Sequence, residues 1–187
     1  MGGADALNFL GQYQQSGGTA PLIGGSITVD QTVLTSEGKI RDVLVGTPSA
    51  GPIADTNDTP AWMAFVDAYK KQDGAFPSPL FAHGYYVDMK ATLLALEQVK
   101  GDTSDGGAAL RDALSKLSFD TPTGKVSLDA NRNAIADIFL SEVAQRADGN
   151  LFNKLVKVVP QVNQTLGIDP KEFLALDVAN RDNPACP

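Results

Sequence analysis

The 187-residue sequence predicts an α/β fold, and three patterns in its apolar residues carry that prediction. In the first third, helix-spaced apolar residues alternate with short apolar runs that end in glycine. In the middle, three helical stripes follow one another with no strand between them. In the last third the period changes to two over three extended segments joined by polar turns. Helices covering a sheet, followed by an antiparallel meander, give this succession.

Each element has its own justification. After Met1-Gly2-Gly3, the residues Ala6, Phe9, Leu10 and Tyr13 share one helical face, and Gly17-Gly18 stops the helix. Pro21-Leu22-Ile23-Gly24-Gly25 reads as a short buried strand, residues 29–38 as a brief helix closed by Gly38, and residues 39–45 as a second strand. Residues 46–52 hold Pro48 and Pro52, whose missing N–H groups argue against a central strand and for a crossing segment. Thr59-Pro60 opens a helix with Trp62, Phe65, Val66 and Tyr69 on its apolar stripe, and residues 72–79 form a loop. Residues 81–99 carry Tyr86, Met89, Leu93, Leu96 and Val99 at helical spacing, and residues 105–117 carry Leu110, Ala113, Leu114 and Leu117. Residues 124–128, 134–143 and 151–159 are then extended, with turns over 129–133 and 148–150, as in an antiparallel meander. A helix comes first and the middle helices have no strand to cover, so the sequence itself hints that part of a larger fold is missing.

Composition excludes several function classes. Fifteen Lys and Arg against 22 Asp and Glu leave a net charge of −7, and the longest basic cluster is Lys70-Lys71, so the surface field opposes nucleic acid. No stretch reaches the ~18 apolar residues of a membrane span. Met1-Gly2-Gly3-Ala4-Asp5 lacks the basic and apolar regions of a signal peptide. The single cysteine, Cys186, has no intramolecular partner and no metal-ligand spacing around it, and nothing in the sequence calls for a cofactor.

Nor does the sequence offer a catalytic constellation. The chain has no Gly-x-Ser-x-Gly elbow and no cysteine placed to act as nucleophile, so its lone histidine, His83, has nothing to activate and the chain is read as a non-enzyme. Asp129, Asn131 and Asn133 have the spacing that opens a calcium loop, but Ala134 stands where the loop needs glycine and Leu140 where it needs glutamate, which makes the segment a hairpin turn. Gly24-Gly25-Ser26 lies at the end of a strand and before a helix, where open α/β sheets place ligands; a plain tight turn accounts for the pair of glycines equally well.

The order of pieces resembles the C-terminal half of the type I periplasmic solute-binding proteins of ABC importers, in the branched-chain amino acid and aromatic acid group. The resemblance rests on Gly2-Gly3-Ala4-Asp5-Ala6 running into Asn8-Phe9-Leu10, on Pro21-Leu22-Ile23-Gly24-Gly25-Ser26, and on the helix from Pro60 to Tyr69. It continues through Phe81-Ala82-His83-Gly84-Tyr85-Tyr86-Val87-Asp88 and ends at Gly167-Ile168-Asp169-Pro170. Each motif is short; their order and spacing make the likeness. In that family two flavodoxin-like α/β lobes, joined by hinge crossings, close on a ligand. The resemblance therefore implies a truncated version of that fold. Residues 1–46 would be the second part of the C-terminal lobe and 47–121 the last, mostly helical, part of the N-terminal lobe. Residues 122–165 would be the closing strands of the C-terminal lobe, and 166–187 a tail. The prolines at 48 and 52, and Thr121-Pro122-Thr123-Gly124, would mark the crossings.

The same resemblance implies the ligand site. Ser26 stands where family members place a specificity residue, beside Gly25, and Ala4 stands where others carry an aromatic. Small residues at both positions leave room for an aromatic acid rather than a small aliphatic amino acid. Phe81 and His83 would face the cleft from the other lobe, although a lone histidine is also an ordinary helix-start residue. The implied function is a periplasmic ligand-binding component, working with an ABC permease in its intact form and taking a small carboxylate or amino acid. A single wall encloses little of a small ligand, so binding by this portion alone would be weak. The alternative from another class is a self-association or sensor module, with exposed helical stripes favouring oligomers or exchange of segments between copies.

Overall fold

A computed structural model describes residues 2–73 and 80–176. Among the described residues, six α-helices are α1 (Gly3–Gln15), α2 (Gln31–Leu34), α3 (Pro60–Asp73), α4 (Leu80–Gln98), α5 (Ala108–Ser115) and α6 (Pro170–Ala175). Six strands are β1 (Gly24–Gly25), β2 (Pro48–Gly51), β3 (Ser118–Thr121), β4 (Gly124–Leu128), β5 (Ala134–Gln145) and β6 (Leu151–Val162). They form one mixed sheet in the order β1-β2-β5-β4-β3, with β6 on the other edge of β5. Only the β1–β2 pair is parallel. The mixed α/β architecture and the terminal meander follow the sequence pattern, since β4, β5 and β6 lie over the three alternating segments.

Two cores hold the molecule. The first joins α1, α2 and the sheet through Ala6, Leu10, Val29, Val33, Leu34, Leu44, Val143 and Leu151. The helical spacing of Ala6 and Leu10 buries them, while Phe9 turns outward. The second is smaller: Ala95 of α4 meets Ala113 of α5 and Leu117, with Leu94, Leu110 and Phe119 packed against them. The middle helices thus pack on one another and on β3, and α4 leaves Phe81, Tyr85, Met89 and Leu93 exposed.

Several sequence expectations are corrected. The buried strand expected over residues 21–25 is reduced to Gly24–Gly25, and Ile23 is exposed because it precedes the parallel pairing with β2. Residues 39–45 are not a strand: a 3-10 helix spans Gly38–Val43. Asp42 breaks the alternation a strand needs, and spacing by three or four places Ile40, Val43 and Leu44 against the first core. Residues 46–52 are not excluded from the sheet, because β2 sits between β1 and β5. Pro48 occupies the first position of β2 and Pro52 follows its end, so neither missing N–H falls inside the ladder. The strand β3 was not legible at all, being four residues long with a single buried member. In addition, the segment 166–176 is not featureless, since the Asp169 side chain caps α6 by accepting from the N–H groups of Lys171 and Glu172. Of the loop expected over 72–79, the first two residues complete α3 and the rest lie outside the described residues, as does Cys186.

The polar turns have clear chemistry. Asp129 Oδ1 accepts from the N–H groups of Asn131 (2.8 Å) and Asn133 (2.9 Å), which builds the β4–β5 turn from the spacing that superficially suggests a calcium loop. At the β3–β4 turn, Gly124 has φ +116, a conformation side chains resist, and a β-carbon there would fall 2.7 Å from Asp137 Oδ2 on β5. Gln161 fastens the same region from β6, donating through its N–H and Nε2 to Asp137 Oδ1 and through Nε2 to Lys125 O.

Candidate functional site

The sequence-predicted site residues fall into three places. Gly25 and Ser26 lie at the end of β1, and Ala4 lies in the first turn of α1. Ser26 N–H donates to Ala50 O of β2 at 3.1 Å, and the Gly25 carbonyl accepts from Thr28 N–H at 2.9 Å to turn the chain towards α2. The start of α1 closes on that turn: a β-carbon on Gly2 would lie 2.5 Å from Ile27 Cγ1. Gly51 is pressed against Ser26 from the other side, where a β-carbon would lie 2.3 Å from Ser26 Cβ. Ala4 and Gly25 are exposed and Ser26 is half-buried.

Phe81 stands apart from these three, in the first turn of α4, and is 54% exposed. It lines a cavity of about 300 Å³ together with Leu80, Ala82, Tyr69 of α3, and Gln31, Thr32 and Thr35 from α2 and its C-terminal end. The helix α2 therefore connects the two places: it begins five residues beyond Ser26 and ends against Phe81's cavity. Its first turn is fixed by Asp30, whose carboxylate accepts from Val33 N–H at 3.2 Å. None of the described residues lining this cavity carries a formal charge. Gln31, Thr32, Thr35 and Tyr69 were not singled out from the sequence, because nothing in their spacing distinguishes them from the polar side of a short helix.

His83 is elsewhere again. It is only 4% exposed and sits behind Phe81, with its ring edge-on to Trp62 (5.7 Å) and Phe65 (5.8 Å) of α3. Its Nε2 is 3.1 Å from Thr123 Oγ1 in the β3–β4 turn, and Nδ1 has no partner among the described residues. Burial without a counter-charge lowers its pKa from 6.5 to about 4. The ring is therefore neutral at ordinary pH and lies away from solvent.

A second cavity of about 290 Å³ lies between α3 and the 55–58 loop, lined by Asp55, Asp58, Trp62, Asp67, Lys70 and Arg146 among others. None of the sequence-predicted residues lines it. Among the described residues there is no group of three His, Cys, Asp or Glu that could hold a metal ion, and no helix long and apolar enough to cross a membrane.

The structure of an ABC transporter substrate-binding protein from Sphaerobacter thermophilus is similar, with 30% identity and a TM-score of 0.71 over 84% of this chain. A solute binding protein of an ABC transporter from Rhodopseudomonas palustris BisB5, solved with 3,4-dihydroxybenzoic acid, shares the fold over 92% of this chain at 24% identity and a TM-score of 0.73. So does the leucine-, isoleucine-, valine-, threonine- and alanine-binding protein from Brucella ovis, in a closed conformation, over 89% at 20% identity and a TM-score of 0.64. The chain spans 42%, 45% and 42% of these three chains respectively. No curated protein matches it. The family model described as "Periplasmic binding protein" matches residues 1–150. With most of the chain matched in sequence and the mixed sheet matched in structure, this chain belongs to the periplasmic binding protein family.

Proposed function

We propose that the chain is part of the solute-binding component of an ABC importer and contributes part of a cleft that takes a small aromatic carboxylate. The observation that carries this reading is the uncharged cavity between α2 and α4, with Phe81 exposed in it. An aromatic side chain beside hydroxyl and amide groups suits a ring bearing hydrogen-bonding substituents, and a volume of about 300 Å³ is at the small end for ligand sites. Ala4, Gly25 and Ser26 lie apart from this cavity on the same lobe as α2, where their small side chains leave room for a ring elsewhere in the cleft. With no cation among the described residues lining the cavity, this cavity takes the ring and the carboxylate is bound elsewhere in the cleft. In this reading residues 1–46 and 122–165 belong to one lobe and 47–121 to the other, and the periplasm and an ABC permease are the place and the partner. The names of the relatives that bind aromatic acids and amino acids support the ligand class.

The experiment is a thermal-unfolding series of the chain with benzoate, hydroxybenzoates and branched-chain amino acids at millimolar concentration. A ligand that binds the folded state raises Tm by mass action. The reading requires a rise with at least one aromatic carboxylate and a smaller rise with Phe81→Ala. A folded chain that no member of the series shifts contradicts it.

One observation favours a second reading, a self-association module: Phe81, Tyr85, Met89 and Leu93 form an exposed stripe along α4, with Tyr85 74% exposed. Light scattering separates the readings, because self-association through this stripe gives a concentration-dependent mass that Met89→Glu abolishes.

A further inference from the structure

We infer that His83 is a positioning residue, a strut that holds the start of α4 on the β3–β4 turn and so sets how far Phe81 stands from α2; the inference rests on the solute-binding reading of the Phe81 cavity. Its hydrogen bonds give the strut a direction. If Thr123 donated to Nε2, the ring proton would sit on Nδ1, a donor buried among aromatic rings with nothing to accept it. If Nε2–H donates to Thr123 Oγ1, only a lone pair on Nδ1 is left unmatched, which is the cheaper arrangement. The proton then continues a chain. Thr123 Oγ1 is free to donate to Thr121 Oγ1 at 3.4 Å, and Thr121 Oγ1 donates to Gly124 O at 2.7 Å. Every hydroxyl in the turn is used, and Thr121 Oγ1 also accepts from Thr123 N–H at 3.2 Å.

Both ends of this strut are anchored. On the helical side, Trp62 and Phe65 grip the imidazole, and Lys90 Nζ of α4 donates to Asp120 O of β3 at 2.8 Å as a second tie. On the sheet side, the turn is pressed on β5 at Gly124 and fastened to β6 by Gln161. His83 lies two residues beyond Phe81 on the same helix, whereas Thr32 and Thr35, opposite Phe81 across the cavity, belong to the unit packed on the sheet. A link between α4 and the sheet therefore fixes the width of the cavity although His83 does not line it.

Thr123→Val removes the acceptor while keeping the shape, and Thr123→Ser restores the hydroxyl. The expected results are a slowly exchanging His83 Nε2–H proton resonance in the parent chain and in Thr123→Ser, and its loss in Thr123→Val. With that loss the amide resonances of Thr32 and Thr35 should move, although neither contacts Thr123. Benzoate affinity, read by titrating those amides, should fall about fivefold in Thr123→Val, as for one neutral hydrogen bond, and recover in Thr123→Ser. Unmoved Thr32 and Thr35 amides in a folded Thr123→Val chain would overturn the strut. A parent chain that ignores benzoate would instead overturn the solute reading, and the amide comparison would still decide the strut by itself.

Discussion

His83 is the only histidine in the chain, so its titration can be read from stability alone. With a folded pKa of about 4 against 6.5 unfolded, the unfolded state binds more protons between those values, and stability rises with pH across that window. The contribution is complete above pH 6.5 and is lost as pH falls towards 4, amounting to about 3 kcal/mol in all. Urea unfolding at pH 7 and pH 5 checks this: the parent chain should lose more stability between the two than His83→Phe, which has no proton to bind. Equal losses would show that the ring is not held neutral by burial. The sequence could place a histidine at a helix start but could not show it buried, because its surroundings come from α3 and from the β3–β4 turn, both distant in the chain. Phe81, in contrast, was legible as an apolar residue preceding a helical stripe, and it remains exposed.

Among the elements, those with a sustained period were readable and the short ones were not. The long α4 and the twelve-residue strands β5 and β6 repeat their pattern several times, so a single exception does not hide them. The 3-10 helix, β2 and β3 span only four to six residues, and their conformation is set by the neighbours they pair with. Helix ends follow side-chain chemistry more closely. Asp105 precedes α5 and accepts from Ala108 N–H at 2.8 Å and Ala109 N–H at 2.9 Å, satisfying two amides that the helix leaves open. Asp105→Ala should therefore cost about 1 kcal/mol, measured by chemical denaturation, and Asp105→Asn, which keeps one acceptor, should cost less. A neutral Asp105→Ala would mean that α5 is held by its packing on α4 alone.

At the scale of the molecule, α1 and α2 pack on the sheet through the first core, and α4 and α5 pack on each other beside β3, the edge strand of the same sheet. The apolar pattern breaks near residues 46–52 and 121–124, and the first break contains a strand of the sheet. The mixed fold was legible because its periods change along the chain. The cavity at Phe81 was not, because it is formed by α2 and α4, which are separated along the chain by the 3-10 helix, β2 and α3. The most direct test of the central claim is a two-dimensional NMR titration of the isotope-labelled chain with benzoate. If this cavity receives an aromatic ring, the perturbed amides cluster at residues 31–35, Tyr69 and 80–82, and Phe81→Ala weakens the perturbations. Perturbations confined to the charged cavity around Asp58 and Lys70, or a folded chain with none at millimolar benzoate, would contradict it.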